Sequence, residues 1–163
     1  MLTINERLTE GTANVTTTLT LPFDLRQKSR FRAKLDDGRD VGVMLSRGKI
    51  LNAGDLLRAD DGSVIQIKAA PEHVTTASHT DRLLIARACY HLGNRHVPLQ
   101  IGETWLRYLH DHVLDEMVAS LGLSINHEHA PFEPEAGAYS GHGHTHDTSD
   151  DPSTGTHRHA HSH

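Results

Sequence analysis

Sulfur and aromatic rings are scarce in this sequence. Cys89 is the single cysteine among 163 residues, so no intrachain disulfide can form and a reducing compartment is expected. Aromatic residues make up 4% and hydrophobic residues 36% of the chain, which leaves material for only a thin core. Almost nothing apolar lies in the last stretch, so that core must come from roughly the first 130 positions, and dimerisation is a common remedy for so small a core. Basic charge is short as well. Lys and Arg number 16 against 21 acidic residues, a net charge of −5, which argues against nucleic acid as a partner because no excess of cations is present to neutralise phosphates. No apolar run approaches the roughly 18 residues needed to cross a bilayer, and the opening MLTINERLTE has no signal-peptide core, so neither a membrane partner nor export is expected and the location is taken as cytoplasmic. The His-Glu-x-x-His, Cys-x-x-Cys and Gly-x-Ser-x-Gly patterns are missing, as is a phosphate-binding glycine loop. The expectation is a protein that is not an enzyme and hydrolyses no GTP itself.

Histidine is what the chain has in excess, with 15 residues. Seven of them, His142, His144, His146, His157, His159, His161 and His163, lie in the last segment, mostly two residues apart. Residues 137–163 are otherwise mostly Gly, Ser, Thr and Asp, too polar to offset the entropy of ordering, and read as a disordered His-rich tail. Imidazole nitrogens suit Ni²⁺, Cu²⁺, Zn²⁺ and Co²⁺ better than Ca²⁺ or Mg²⁺, and a flexible chain closes several alternative chelates. Such a tail favours capacity and exchange over one fixed geometry. Its histidines are interrupted throughout, unlike the unbroken run of a purification tag.

The ordered part divides by pattern near Pro71. Residues 1–70 read as a small all-β domain: Val15, Thr17, Leu19 and Leu21 alternate with threonines, and Asp36-Asp37-Gly38 and Asp60-Asp61-Gly62 supply turns between strand-like runs. No helix is expected there. Residues 71–136 read as a ferredoxin-like β-α-β-β-α-β domain, giving an α+β fold class overall. Its strands are expected at 73–77, 97–101, 104–109 and 123–125 or a little beyond. One helix is capped by Thr80 or Asp81 and stopped by Gly93-Asn94, with Leu84, Ile85, Ala88, Cys89 and Leu92 on one stripe. The second carries Val113, Leu114, Met117, Val118 and Leu121 and ends at Gly122.

Within this part His110-Asp111-His112 lies where a strand passes into a helix. If both histidines are extended they point to one side about 7 Å apart, as a chelate needs. If both are helical they diverge by roughly 200°, and Asp111 is then simply a helix cap. His127-Glu128-His129 is either a ligand pair or the polar face of a strand. His96 reads as an exposed loop residue, Cys89 as a buried thiol, His91 as a solvated or capping residue, and His73 and His79 carry no signal.

From Cys89 to Gln100 the sequence reads CYHLGNRHVPLQ, and it resembles the urease accessory protein E family. Further agreement lies in LPFDLR from Leu21 with Lys28-Ser29-Arg30, LDDGRD from Leu35, YLHDHVL from Tyr108 and PFEPEAGAY from Pro131, so the resemblance covers nearly the whole chain. It implies a cytoplasmic chaperone whose N-terminal β domain contacts protein partners and whose C-terminal domain binds metal. It also implies a homodimer that delivers Ni²⁺ to the urease apoprotein, together with a urease GTPase accessory protein and other accessory proteins. By the same resemblance His96 is the interface ligand, contributed by both protomers across the two-fold, and His110 with His112 forms a peripheral pair for Cu²⁺ or a second Ni²⁺. A His-rich store or buffer for nickel or zinc without a delivery role is the competing class, and a metallohydrolase a third.

Deleting residues 140–163 is therefore expected to lower the number of bound Ni²⁺ ions by a few per dimer, without broadening or lowering the thermal unfolding transition. Equal metal counts for full-length and truncated proteins at pH 7.5 would refute this reading of the tail.

Overall fold

Alternation governs the first half of the chain. In the computed structural model, which describes residues 1–9 and 13–137, Leu19, Leu21, Val41, Val43, Ile65 and Ile67 point inward while their neighbours face outward. The strands of this half are β1 (Leu2–Leu8), β2 (Thr17–Leu21), β3 (Arg30–Lys34), β4 (Asp40–Met44), β5 (Leu56–Ala59) and β6 (Val64–Ala69), and the six residues lie on β2, β4 and β6. Together they make a six-stranded sheet in the order β2-β6-β5-β1-β4-β3, with β1·β4 and β2·β6 parallel and the other pairs antiparallel. The two Asp-Asp-Gly turns close the β3–β4 and β5–β6 connections, and Gly38 and Gly62 take φ of 93° and 85°, which a side chain would resist. The expectation of no helix in this half is wrong by one turn. Helix α1 (Phe23–Arg26) follows Pro22, whose φ of −70° suits helix entry, and four residues are too few for a helical period to show in sequence.

A second sheet takes over at Pro71. Its elements are β7 (Pro71–Ser78), α2 (Arg82–Asn94), β8 (Gln100–Ile101), β9 (Trp105–Leu109), α3 (His112–Ser120) and β10 (Ser124–Pro131), the expected β-α-β-β-α-β sequence. Its strand order is β10-β7-β9-β8, antiparallel throughout. Asp81 caps α2 by accepting a hydrogen bond from the Leu83 amide, and Asp111 caps α3 by accepting from those of Val113 and Leu114. Both helices lie on one face of the sheet, because Ile85, Ala88 and Leu92 of α2 and Leu114 and Val118 of α3 share a core with Ala77, Leu106 and Tyr108 of the strands. Two boundaries moved. β10 runs eight residues, further past 125 than expected, and pairs with β7 along its whole length, from Ser124 opposite Ser78 to Pro131 opposite Pro71. The strand expected at 97–101 keeps only Gln100 and Ile101, and the Val97 amide closes the end of α2 on Leu92 O instead. Among the described residues no helix is long and apolar enough to cross a membrane.

The sheets meet around a buried cation. Arg26 is 1% exposed, and its guanidinium donates from Nε to Leu21 O (3.2 Å), from Nη1 to Leu51 O (3.3 Å) and from Nη2 to Phe132 O. The first two carbonyls belong to the N-terminal half, and the third follows β10. Burial pulls the Arg26 pKa down, opposed by Glu133 and Glu72, and an arginine stays charged through such a shift. Phe23 stacks edge-on against Phe132 with centroids 5.5 Å apart, and Val74 completes this small junction core. LPFDLR and PFEP, far apart in sequence, are thus two sides of one contact.

Arg26→Met takes a donor from three buried carbonyls, of which that of Leu21 keeps the Ala70 amide. It is expected to lower unfolding free energy in urea by about 2–4 kcal/mol, with Arg26→Lys recovering only part because an ammonium lacks the planar fork. A change under about 0.5 kcal/mol for Arg26→Met would show that the junction is not held this way.

Candidate metal centre

Five of the eight histidines among the described residues fall in two places. The first is the end of α2. The Val97 amide donates to Leu92 O (3.3 Å) and the His96 amide to Gly93 O (3.0 Å), with His96 at φ 57°. This is a Schellman closure with His96 in the left-handed C′ position, and Val97 packs with Leu92 beneath it as such closures favour. The sequence assigned the stop to Gly93-Asn94, yet both are still helical and the left-handed residue comes later. His96 is the only non-glycine residue with positive φ among the described residues. Histidine tolerates this region better than most residues, and a side chain held there is a hint of function. The ring is exposed on a short, well-hydrogen-bonded loop.

The second place is created by strand register. On the helix-covered face, Ile125, Ala77 and Leu106 lie side by side across β10, β7 and β9, and the next row is His127, Thr75 and Tyr108. One row further, His129 faces His73, and the His110 amide donates to His73 O (3.1 Å) just past the end of β9. The face therefore grades from apolar core to a fringe of four imidazoles. The His73 ring stacks on His110 (centroids 4.3 Å apart, 23° between planes) and on His129 (5.2 Å, 8°), and His127 stands edge-on to His110 at 4.6 Å.

Asp115, one turn into α3, reaches over this fringe. Its Oδ1 accepts from Thr75 Oγ1 and Tyr108 OH, each at 2.8 Å. Its Oδ2 lies 2.8 Å from His127 Nε2 and 3.2 Å from His110 Nδ1. Burial pushes the Asp115 carboxyl up, but the hydrogen bonds from Thr75, Tyr108 and His127 outweigh it and leave the pKa below the ordinary value. Burial and then the Asp115 carboxylate drive the Tyr108 hydroxyl far above its ordinary range, so it stays a donor. His73 sits below the ordinary imidazole value, by desolvation first and then by the neighbouring histidines.

Of the residues singled out from the sequence, His110 enters this cluster and His112 does not. Asp111 is extended (φ −153°, ψ 119°), while His112 is already the first residue of α3. Among the described residues, the donors that lie within 4.8 Å of one another are those of His110, Asp115 and His127. His96 belongs to the other place. His142, His144, His146, His157, His159, His161 and His163 lie outside the described residues. His73, Thr75 and Asp115 escaped the sequence reading, since only register and the α3 position bring them to the histidines. Alternation along β10 was the one available signal, for His127 and His129. His79 is used structurally, its Nδ1 accepting from the Asp81 amide (2.9 Å). Cys89 is half-buried rather than buried, and burial pushes its thiol up, away from the thiolate a metal needs.

Comparison with known proteins adds independent findings. The family profile for the UreE urease accessory protein, N-terminal domain, matches residues 4–70. The profile for the UreE urease accessory protein, C-terminal domain, matches residues 72–163. A protein named urease accessory protein UreE from Alkalilimnicola ehrlichii is 64% identical over 141 residues, covering 86% of this chain and 86% of its own. Proteins of the same name from Enterobacter sp. and Pseudomonas putida are 54% and 55% identical over 141 residues, covering 86% and 85% of this chain and 92% and 86% of their own.

The backbone at position 96 yields a test that needs no metal. His96→Val is expected to destabilise the apo-protein by about 1–2 kcal/mol, because a β-branched residue resists left-handed φ, whereas His96→Gly is neutral or slightly stabilising. Equal unfolding midpoints for the two variants would count against the left-handed closure.

Proposed function

The chain belongs to the UreE urease accessory protein family, and on that premise we propose that it is a nickel metallochaperone that delivers Ni²⁺ to apo-urease. The match across both domain profiles is the observation that carries this reading. In it the protein acts as a cytoplasmic homodimer, catalyses no reaction, and hands its cargo on with the urease GTPase and the other accessory proteins. Residues 1–70 serve as the partner-binding domain, 71–136 as the ferredoxin-like metal-binding domain, and 137–163 as a His-rich buffer. Cu²⁺, Zn²⁺ and Co²⁺ can occupy the same nitrogen ligands. Copper binds such ligands more tightly than nickel, so selectivity has to come from metal supply and from the docking partner.

Physically, a carrier must hold an ion well and still let a partner displace its ligands. One imidazole from each protomer across a two-fold axis gives an incomplete shell, open to an incoming donor. His96 suits that role because it is exposed, and because its backbone is fixed by the Schellman closure rather than by the ion. The path of the chain after β10 supports a share for the tail. The Glu133 amide donates to Gln100 Oε1 (3.1 Å) and the Glu135 amide to Leu99 O (2.8 Å), so the tail is rooted beside the loop that bears His96. From Glu135 to His142 the chain can span up to roughly 24 Å, ample to return an imidazole to that loop.

Nickel calorimetry of His96→Gly, a change the backbone tolerates, decides between delivery and storage when run in a tail-deleted background. The expected result is loss of the tight site of one ion per dimer and impaired activation of co-expressed urease. A retained tight site removes His96 from the mechanism. Normal activation, with no nickel-dependent complex with the GTPase, would favour a store.

A further inference from the structure

We propose that His110, Asp115 and His127 form a second divalent-metal site inside each protomer, one that uses neither His112, nor the two-fold axis, nor the tail. Its chemistry suits a borderline first-row dication such as Zn²⁺ or Ni²⁺, since two imidazoles and one carboxylate match those ions and not Ca²⁺ or Mg²⁺, which want all-oxygen shells. The proposal does not depend on the delivery role argued above.

The geometry is close to that of a loaded site. Around a four-coordinate ion with ligands at 2.0–2.1 Å, neighbouring donors sit about 3.3 Å apart. Asp115 Oδ2 is already 2.8 Å from His127 Nε2 and 3.2 Å from His110 Nδ1, within a few tenths of an ångström of that spacing, and all three donors lie within 4.8 Å of one another. The carboxylate is oriented for this. Thr75 and Tyr108 occupy Oδ1 and direct Oδ2 toward the imidazoles, the kind of outer-shell support that fixes a ligating carboxylate. In the metal-free chain His127 Nε2 is in hydrogen-bond contact with Oδ2 and His110 Nδ1 with Thr75 Oγ1, and a bound ion would take over both ring nitrogens.

The three donors come from the end of β9, from α3 and from β10, so an ion there ties two strands to the helix above them. The site is accessible without being loose. Asp115 is 13% exposed, His110 30% and His127 49%, with His73 stacked against the outer side of His110. Exchange from solvent is open, and the carboxylate end of the site is held by the core.

Thermal unfolding with Zn²⁺ as the probe isolates this site in the full-length His96→Gly protein. A site built by the fold raises the midpoint, whereas ligands equally available in the unfolded chain do not. At fixed protein concentration and a hundredfold excess of Zn²⁺ over its dissociation constant, the expected rise is on the order of 5 °C. Adding His127→Gln should abolish the rise, and adding His112→Gln should keep it. In the parent, the imidazole nitrogen resonances of His110 and His127 should move with Zn²⁺ while those of His112 stay, a readout that stands if a variant folds poorly. The site is refuted if the parent shows no rise, if the rise survives His127→Gln, or if His112→Gln removes it, since that last result would return the metal to the His110–His112 pair.

Discussion

The imidazole end of the four-stranded sheet depends on one register, that of β10 on β7. Side chains alternate faces along a strand, so a slip of one residue would turn His127 and His129 to the opposite face and bring Asn126, Glu128 and Ala130 in their place. Two features hold it. Ile125 and Ala77 lie in the apolar row under the helices, which a slip would expose. Past the far end, the Phe132 carbonyl accepts from the buried Arg26 guanidinium while its ring packs on Phe23. The opposite face adds a polar clamp, because Arg107 of β9 bonds both Thr76 of β7 and Glu128 of β10.

Much of this fold is legible in sequence wherever one residue type has one dominant reason to be where it is. Asp81 and Asp111 precede apolar stripes, and both prove to be helix caps. Asp-Asp-Gly at 36–38 and 60–62 marks turns, and glycine takes positive φ at both. The failures share a different cause. α1 is a single turn set by Pro22, below the length at which a period can be counted. The end of α2 was assigned to the glycine, because glycine is the ordinary left-handed residue. The chain instead spends that conformation on a histidine three positions later, a local rule broken at the residue the family resemblance marks as a ligand.

The candidate site was half legible for the same reason. Alternation along 125–129 is visible in the letters, so His127 and His129 could be placed on one face, and the turn into α3 drew notice to His110. Nothing local connects them to His73, 54 residues before His127, or reveals that Asp115 leans over both. Between His110 and His112, Asp111 is extended as a helix cap must be while His112 is already helical, so the pair is neither wholly extended nor wholly helical.

The buried guanidinium also has a consequence for the order in which the chain can be finished. Arg26 and its last acceptor, Phe132, are separated by 106 residues. At a synthesis rate of about 5–20 residues per second, Arg26 leaves the ribosome roughly 5–20 s before Phe132 does. Throughout that interval the first sheet has a charged side chain at its margin with one carbonyl partner still to come. The nascent N-terminal half therefore cannot dry and close its junction by itself. Its last contact waits until β10 is made, which leaves the first half open to holding factors for most of the time the protein is being built.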